Sequence, residues 1–167
     1  TMKLEDFRAQ IDAIDNKILT LLAERMEIVE KVGQLKRSEG VKGTFIRPKR
    51  EDDMMKRILD TGAGKFPREA LFSIWRTIIS ASLQVENPFR VLTTRHIEKE
   101  VYEYFGAFSE YVFFNDEADV VKNMTEKDIG VLPNNSNFKN LPENTVVFAK
   151  MGNSRAFAYI KDDQCSK

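Results

Sequence analysis

The sequence predicts two parts of different class: an all-α N-terminal module of three helices, suited to a helix-swapped dimer, followed by a small α/β lobe. Three observations predict this. Apolar residues recur at steps of three and four from Leu4 to Leu35. Pro48 and Pro67 stand where the start of a helix tolerates proline. Beyond Asn87-Pro88 the texture changes to short strand-like runs alternating with short helical ones. The break divides the chain into residues 1–88 and 89–167.

The first helix carries Leu4, Phe7, Ile11, Ile14, Ile18, Leu21, Ile28, Val32 and Leu35 on one seam, and Arg25 takes the one position where the heptad asks for an apolar residue. No proline interrupts the run. A helix from about residue 4 to 37 is roughly 50 Å long at 1.5 Å per residue. So long a stripe exceeds what this small a chain can cover, and a second copy is expected on it. SEGVKGT (38–44) reads as a loop. A second helix is expected from Pro48 to about Thr61, stopped by Gly62. A third, opened by Pro67, runs to about Glu86, with Leu71, Ile74, Ile78 and Leu83 as its apolar face and Trp75 and Ile79 beside it. In the lobe the expected order is strand 90–93, helix 97–105, strand 111–114, helix 117–124 and strand 129–132, then strands 145–149 and 156–160. Strand, helix, strand, helix, strand implies a small parallel sheet with crossover helices.

Composition narrows the chemistry. The 167 residues hold 26 basic and 26 acidic side chains, so the formal charge is zero. That balance disfavours a sequence-independent nucleic-acid binder, which needs a basic excess to displace counterions. No apolar run approaches the roughly 20 residues of a membrane span, and no signal-peptide core opens the chain, so a cytoplasmic location is expected. One cysteine, Cys165, and one histidine, His96, leave no internal disulfide and no usual zinc set; no metal or cofactor is expected. A charge relay through His96 has no supporting motif. Catalysis, if any, falls to Arg, Lys, Glu, Asp and Ser.

Arg25 in the seam needs an anion, because a guanidinium stranded in a helix interface costs several kcal/mol. The anion is either Glu24 or Glu27 of a partner helix, or a ligand. Arg8 and Lys36 lie 28 residues apart, four whole heptads, on one face of the helix. They stand about 42 Å apart along it, so one chain cannot bring both to one small ligand. Two helices crossing antiparallel about Leu22 bring Arg8 of one chain to Lys36 of the other. The alternative is that both are solvated flanks of a coiled coil. Arg47, Arg50 and Glu51 share one turn's face, either as part of a site or as an exposed charge set of small energetic value. Ser82 and Glu86 sit four apart near the end of the third helix.

AERMEIVEKVGQLK (23–36), IRPKRE (46–51) and IISASLQVENP (78–88) together resemble the all-helical chorismate mutases, above all the mutase domain of bifunctional chorismate mutase–prephenate dehydratases. The resemblance covers residues 4–88 and implies conversion of chorismate to prephenate in a homodimer whose helices exchange across two sites. It implies that Arg25 and the partner copy's equivalent of Arg8 hold the substrate carboxylates, with Ser82 assisting. Lys36 would donate to the ether oxygen of the breaking bond, and Glu51 would accept from the ring hydroxyl. Arg50 would support the site or Glu51, and Glu86 would occupy a second ether-oxygen position. Arg47 takes a position that is acidic in some relatives and is grouped with the substrate-binding residues. An ionised Glu86 repels a developing oxyanion, so it serves there only while it holds a proton.

The lobe resembles a prephenate dehydratase less closely, in DIGVLPNNS (128–136) and NSRAFAYI (153–160). The glycine-rich motif of that family is replaced by Leu92-Thr93-Thr94-Arg95-His96, and its Thr-Arg-Phe triplet by Ser154-Arg155-Ala156. Only 17 residues separate Ser136 from Ser154, too few for a second lobe between them. A shortened, degenerate and non-catalytic dehydratase-like lobe is expected. A chorismate- or prephenate-binding helical dimer with a regulatory or scaffolding role is the alternative to an enzyme; the full set of Arg8, Arg25, Lys36, Glu51, Ser82 and Glu86 favours the enzyme.

Overall fold

The computed structural model of the chain describes residues 1–41, 43–136 and 140–159. Cys165, and Ile160 at the expected end of the last strand, lie outside the described residues. Helix α1 (Leu4–Ser38) opens with the Lys3 N–H donating to the Asp6 carboxylate at 2.8 Å, which satisfies one of the free donors of a helix start. It closes with Lys36 and Arg37 in the last turn, where the helix dipole favours cations. Of its 35 residues only Gly33 and Lys36 are buried. The seam predicted for it faces water in the single chain: Leu4, Ile11, Ile28 and Leu35 are each 57–58% exposed. Together these side chains leave a line of apolar surface exposed along α1.

Helix α2 (Pro48–Thr61) begins with proline at its first turn and stops at Gly62, whose φ of 67° lies in the left-handed region. Helix α3 (Arg68–Glu86) starts one residue later than expected, because Pro67 is its cap rather than its first residue. Its buried face also differs. Leu71 and Ile79 are inside together with Arg76, Ser80, Ser82 and Glu86, whereas Ile74 is 41% exposed. The cause is that α3 is packed from two directions, by α1 and α2 and by a helix of the lobe, so burial wraps past the single apolar stripe.

The lobe contains β1 (Arg90–Thr94), a 3-10 turn at Arg95–Ile97, α4 (Glu98–Phe105), β2 (Glu110–Phe114), α5 (Glu117–Lys122), β3 (Asp128–Pro133), β4 (Thr145–Met151) and β5 (Ser154–Tyr159). The sheet order is β2-β1-β3-β5-β4. The first three strands are parallel, as the crossovers dictate, and β5 and β4 add to them antiparallel as a hairpin turning at Gly152-Asn153. Alternation along the strands feeds two cores. Val91, Ile129 and Val131 pack with Val101 and Phe105 of α4 on one face, and Leu92, Leu132 and Phe157 pack with Val120 of α5 on the other. Ile46, from the loop between α1 and α2, is 1% exposed and belongs to the α4-side core. The helices and the lobe are therefore joined by shared apolar packing and not by the Asn87-Pro88 peptide alone.

Candidate active site

Arg25 and Lys36 lie 11 residues apart on α1, about three turns, and so project from one side. Gly33 sets the distance from that side to α3: a Cβ there would stand 3.3 Å from the Glu86 Cα. The close approach lets Lys36, three residues on, reach across. Its Nζ donates to Glu86 Oε2 at 2.9 Å and to the Phe45 carbonyl at 3.2 Å, and it sits 5.1 Å from the centre of the Phe45 ring. Arg37 donates to the Glu86 carbonyl, one of the free acceptors at the end of α3. One turn before Glu86, Ser82 accepts from Arg25 Nη1 at 2.7 Å and donates to the Ile78 carbonyl at 2.8 Å.

Arg47 caps α2, and Arg50 and Glu51 follow in its first turn. Glu51 is only 6% exposed, which rules out the solvated charge set that its spacing alone allowed. Its Oε1 accepts from Arg76 Nη2 of α3 at 3.4 Å. Burial pushes the Glu51 carboxyl above the ordinary carboxylate range, and Arg76 pulls it back only in part. Burial, and after it the neighbouring Arg50 charge, lower the pKa of Arg25 against the pull of Glu86, although an arginine stays protonated throughout. Two buried polar atoms here, Arg47 Nε and Glu51 Oε2, have no hydrogen-bond partner among the described residues. Buried donors and acceptors left open at one place mark room for a polar ligand.

Arg25, Lys36, Arg47, Arg50, Glu51, Ser82 and Glu86 line one cavity of about 600 Å³, with apolar walls from Ile28, Val32, Ile79 and Leu83. That volume suits a small organic molecule. Two of its carboxylates are already matched, Glu86 by Lys36 and Glu51 by Arg76. Arg25, Arg47 and Arg50 form no ion pair among the described residues, so the cavity carries a surplus of guanidinium suited to a carboxylate-bearing anion. Arg8 is the one predicted site residue that the single chain does not bring here. It is exposed and lies 17 residues before Arg25, about 26 Å along the helix.

Arg37 and Arg76 reach this region without having been singled out in the sequence. Arg76 was legible in part, as a basic residue among the apolar residues of α3, but the apolar stripe drawn there turned it outward. In the lobe, Ser136 donates to Glu117, and Ser154 donates to Glu100 of α4. His96 is exposed and lies 3.9 Å from Glu117.

The family model described as chorismate mutase type II matches residues 7–87. The bifunctional chorismate mutase/prephenate dehydratase of Aquifex aeolicus (strain VF5) is 32% identical over 141 residues, 78% of this chain and 38% of that protein. That match extends past the helices into the lobe. The bifunctional protein of the same description from Neisseria gonorrhoeae is 37% identical over 84 residues, 50% of this chain and 22% of its own length. The T-protein of Haemophilus influenzae is 30% identical over 87 residues, 52% of this chain and 22% of its own length. The chain thus spans well under half the length of these curated relatives. No solved structure gives a significant match.

Proposed function

Residues 7–87 belong to the chorismate mutase type II family, and from that premise we propose that the protein rearranges chorismate to prephenate, the step of aromatic amino-acid biosynthesis that this family performs. The observation that carries the proposal is the convergence of seven of the eight expected side chains on one guanidinium-rich cavity of about 600 Å³. The eighth, Arg8, enters from a partner: the active form is a homodimer through α1, whose exposed seam is the surface that a second copy covers. The enzyme works in the cytoplasm. No helix among the described residues is long and apolar enough to cross a membrane.

The reaction is an intramolecular rearrangement, so the protein's task is to hold a flexible dianion in the compact conformer from which it reacts. Arg25, steadied by Ser82, grips one carboxylate, and the partner-borne guanidinium grips the other; Arg47 and Arg50 add positive field. Lys36 Nζ points to where negative charge builds on the ether oxygen as the C–O bond breaks. A cation fixed there in advance stabilises the transition state more than the ground state. Glu51, through its open Oε2, accepts from the ring hydroxyl and sets the orientation of the ring. Glu86, which accepts from Lys36 Nζ at 2.9 Å, takes the second position at the ether oxygen, where only its protonated form donates. The lobe is a degenerate dehydratase-like unit without dehydratase chemistry of its own.

The test is the loss of chorismate absorbance on adding the full chain, with Lys36→Ala as control. Turnover by the parent and its collapse in the variant are expected. A parent that binds chorismate without consuming it overturns the enzymatic reading in favour of a binding module.

A further inference from the structure

We infer that Arg76 is a positioning residue for Glu51, held in place by the second lobe through Tyr104, so that the lobe helps to build the mutase site. The inference rests on the mutase reading of the cavity and adds to it a function for residues 89–159.

Arg76 is 4% exposed although it lies on a helix that α1 and α2 pack from one direction only. Its guanidinium is shared between two modules. Nη2 faces Glu51 Oε1 at 3.4 Å, Nε donates to the Tyr104 carbonyl at 3.2 Å, and Cζ lies 3.7 Å from the centre of the Tyr104 ring. Stacking on an aromatic face and a carbonyl bond together fix the plane of an arginine. Both come from α4, at the end where Phe105 anchors the helix in the lobe's core. The Arg76–Glu51 contact also separates two cavities. Glu51 lines the site, whereas Arg76 lines a second space of about 540 Å³ between the helices and the lobe.

A second anchor agrees with the first. Ile46, buried in the α4-side core, lies between Phe45, whose carbonyl accepts from Lys36, and Arg47, which caps α2. The lobe therefore grips the loop between α1 and α2 at Ile46 and the Glu51 counter-charge at Arg76. A lobe that was merely tethered would need neither contact.

The consequence is electrostatic. Glu51 acts as an acceptor, so its anion is the working form. The other charged groups lining its cavity are Arg25 and Lys36 from α1, Glu39 at the C-cap of α1, Arg47 at the cap of α2, and Glu86 from α3. On its own helix are Arg50 and Asp52, and from α4 comes Tyr104. Arg76, from α3, is the cation bonded to it. Without Arg76, the main opposition to desolvation is gone, the backbone of Arg47 lowering the carboxyl by less, and Glu51 holds its proton to higher pH. Below its midpoint the anion fraction falls about tenfold per pH unit.

The experiment compares the full-length parent with Arg76→Met, Arg76→Lys, Tyr104→Leu and Tyr104→Phe. It records kcat/KM against pH, and the Glu51 midpoint by carboxyl-carbon NMR. In Arg76→Met the midpoint is expected to rise and kcat/KM to fall by about tenfold or more at the acidic end, recovering towards alkaline pH. Arg76→Lys restores much of the profile by restoring the charge. Tyr104→Leu moves both readouts in the same direction by less, and Tyr104→Phe, which keeps ring and carbonyl and loses only the hydroxyl's contact with Arg76, moves them least. A loss that is the same at every pH, with an unmoved midpoint, overturns the inference. If Arg76→Met fails to fold, the Tyr104→Leu arm decides: an unchanged midpoint and profile refute the role of the lobe. A midpoint that moves in Arg76→Met while the parent consumes no chorismate sinks the mutase reading and leaves the positioning role of Arg76 standing.

Discussion

Two variants that are inactive alone should repair each other. The 28 residues between Arg8 and Lys36 place them about 42 Å apart on α1, too far for one small dianion. If two copies cross antiparallel, each site takes Lys36 from one chain and Arg8 from the other. In a mixed dimer of Arg8→Ala and Lys36→Ala, both defects then fall in one site and the other site is intact. Random pairing of equal amounts makes half the dimers mixed, and one site in two of those works, so about a quarter of the parent's activity returns. The assay is chorismate consumption after co-expression of the two chains under different tags, with mixed dimers purified through both. Purified mixed dimers should show about half the parental rate per dimer. Mixed dimers no more active than either variant alone would refute the shared site, and a monomeric parent with full turnover would refute the dimer outright.

Two further perturbations separate what holds the site from what acts in it. Glu86→Ala strands the buried Lys36 ammonium, which keeps only the Phe45 carbonyl, and should cost about 3–5 kcal/mol of stability; Glu86→Gln, whose amide oxygen still accepts from Lys36, should cost much less. Urea denaturation of the three proteins checks this, and an Ala variant as stable as the parent would count against the pair. In the lobe, burial pushes the Asp128 carboxyl up, but hydrogen bonds from Arg90 at 2.9 and 2.8 Å and from Thr125 outweigh it and hold the group below its usual range. A depressed carboxylate contributes stability above its unfolded midpoint of about 3.9, and the contribution is lost as pH falls through the folded one. Asp128→Asn should therefore cost about 2 kcal/mol at neutral pH, somewhat less because Arg90 is partly exposed, and the gap to the parent should close in acid melts below pH 4.

Periodicity made the helical part readable almost to the residue. α1 and α2 stand where apolar steps, proline and glycine place them, because those signals act locally. The seam of α1 was equally clear, and its exposure in the single chain is what the proposed homodimer accounts for. Ser82 and Glu86 were readable as a pair from i,i+4 spacing. Arg50 and Glu51 were readable as neighbours on one turn, but not as opposites in burial. Spacing says which residues share a face, whereas burial depends on what arrives from elsewhere in the chain. For Glu51 that is Arg76, 25 residues on, and Tyr104 behind it.

The same limit hides Arg76 from the sequence and accounts for its importance. An apolar stripe identifies one buried face per helix, and α3 has two neighbours, so the residue joining them lies outside the stripe. Buried arginine between two modules has a cost in desolvation that nonpolar packing would avoid. Its retention is accounted for only if something needs the charge, and the buried carboxylate it faces supplies that need. Ile46 points the same way from the apolar side, being a loop residue with no stripe of its own that completes a core belonging to another part of the chain. A helical module that was self-sufficient would show a closed face towards the lobe. This one shows an arginine and an isoleucine reaching out, each beside a residue of the proposed site.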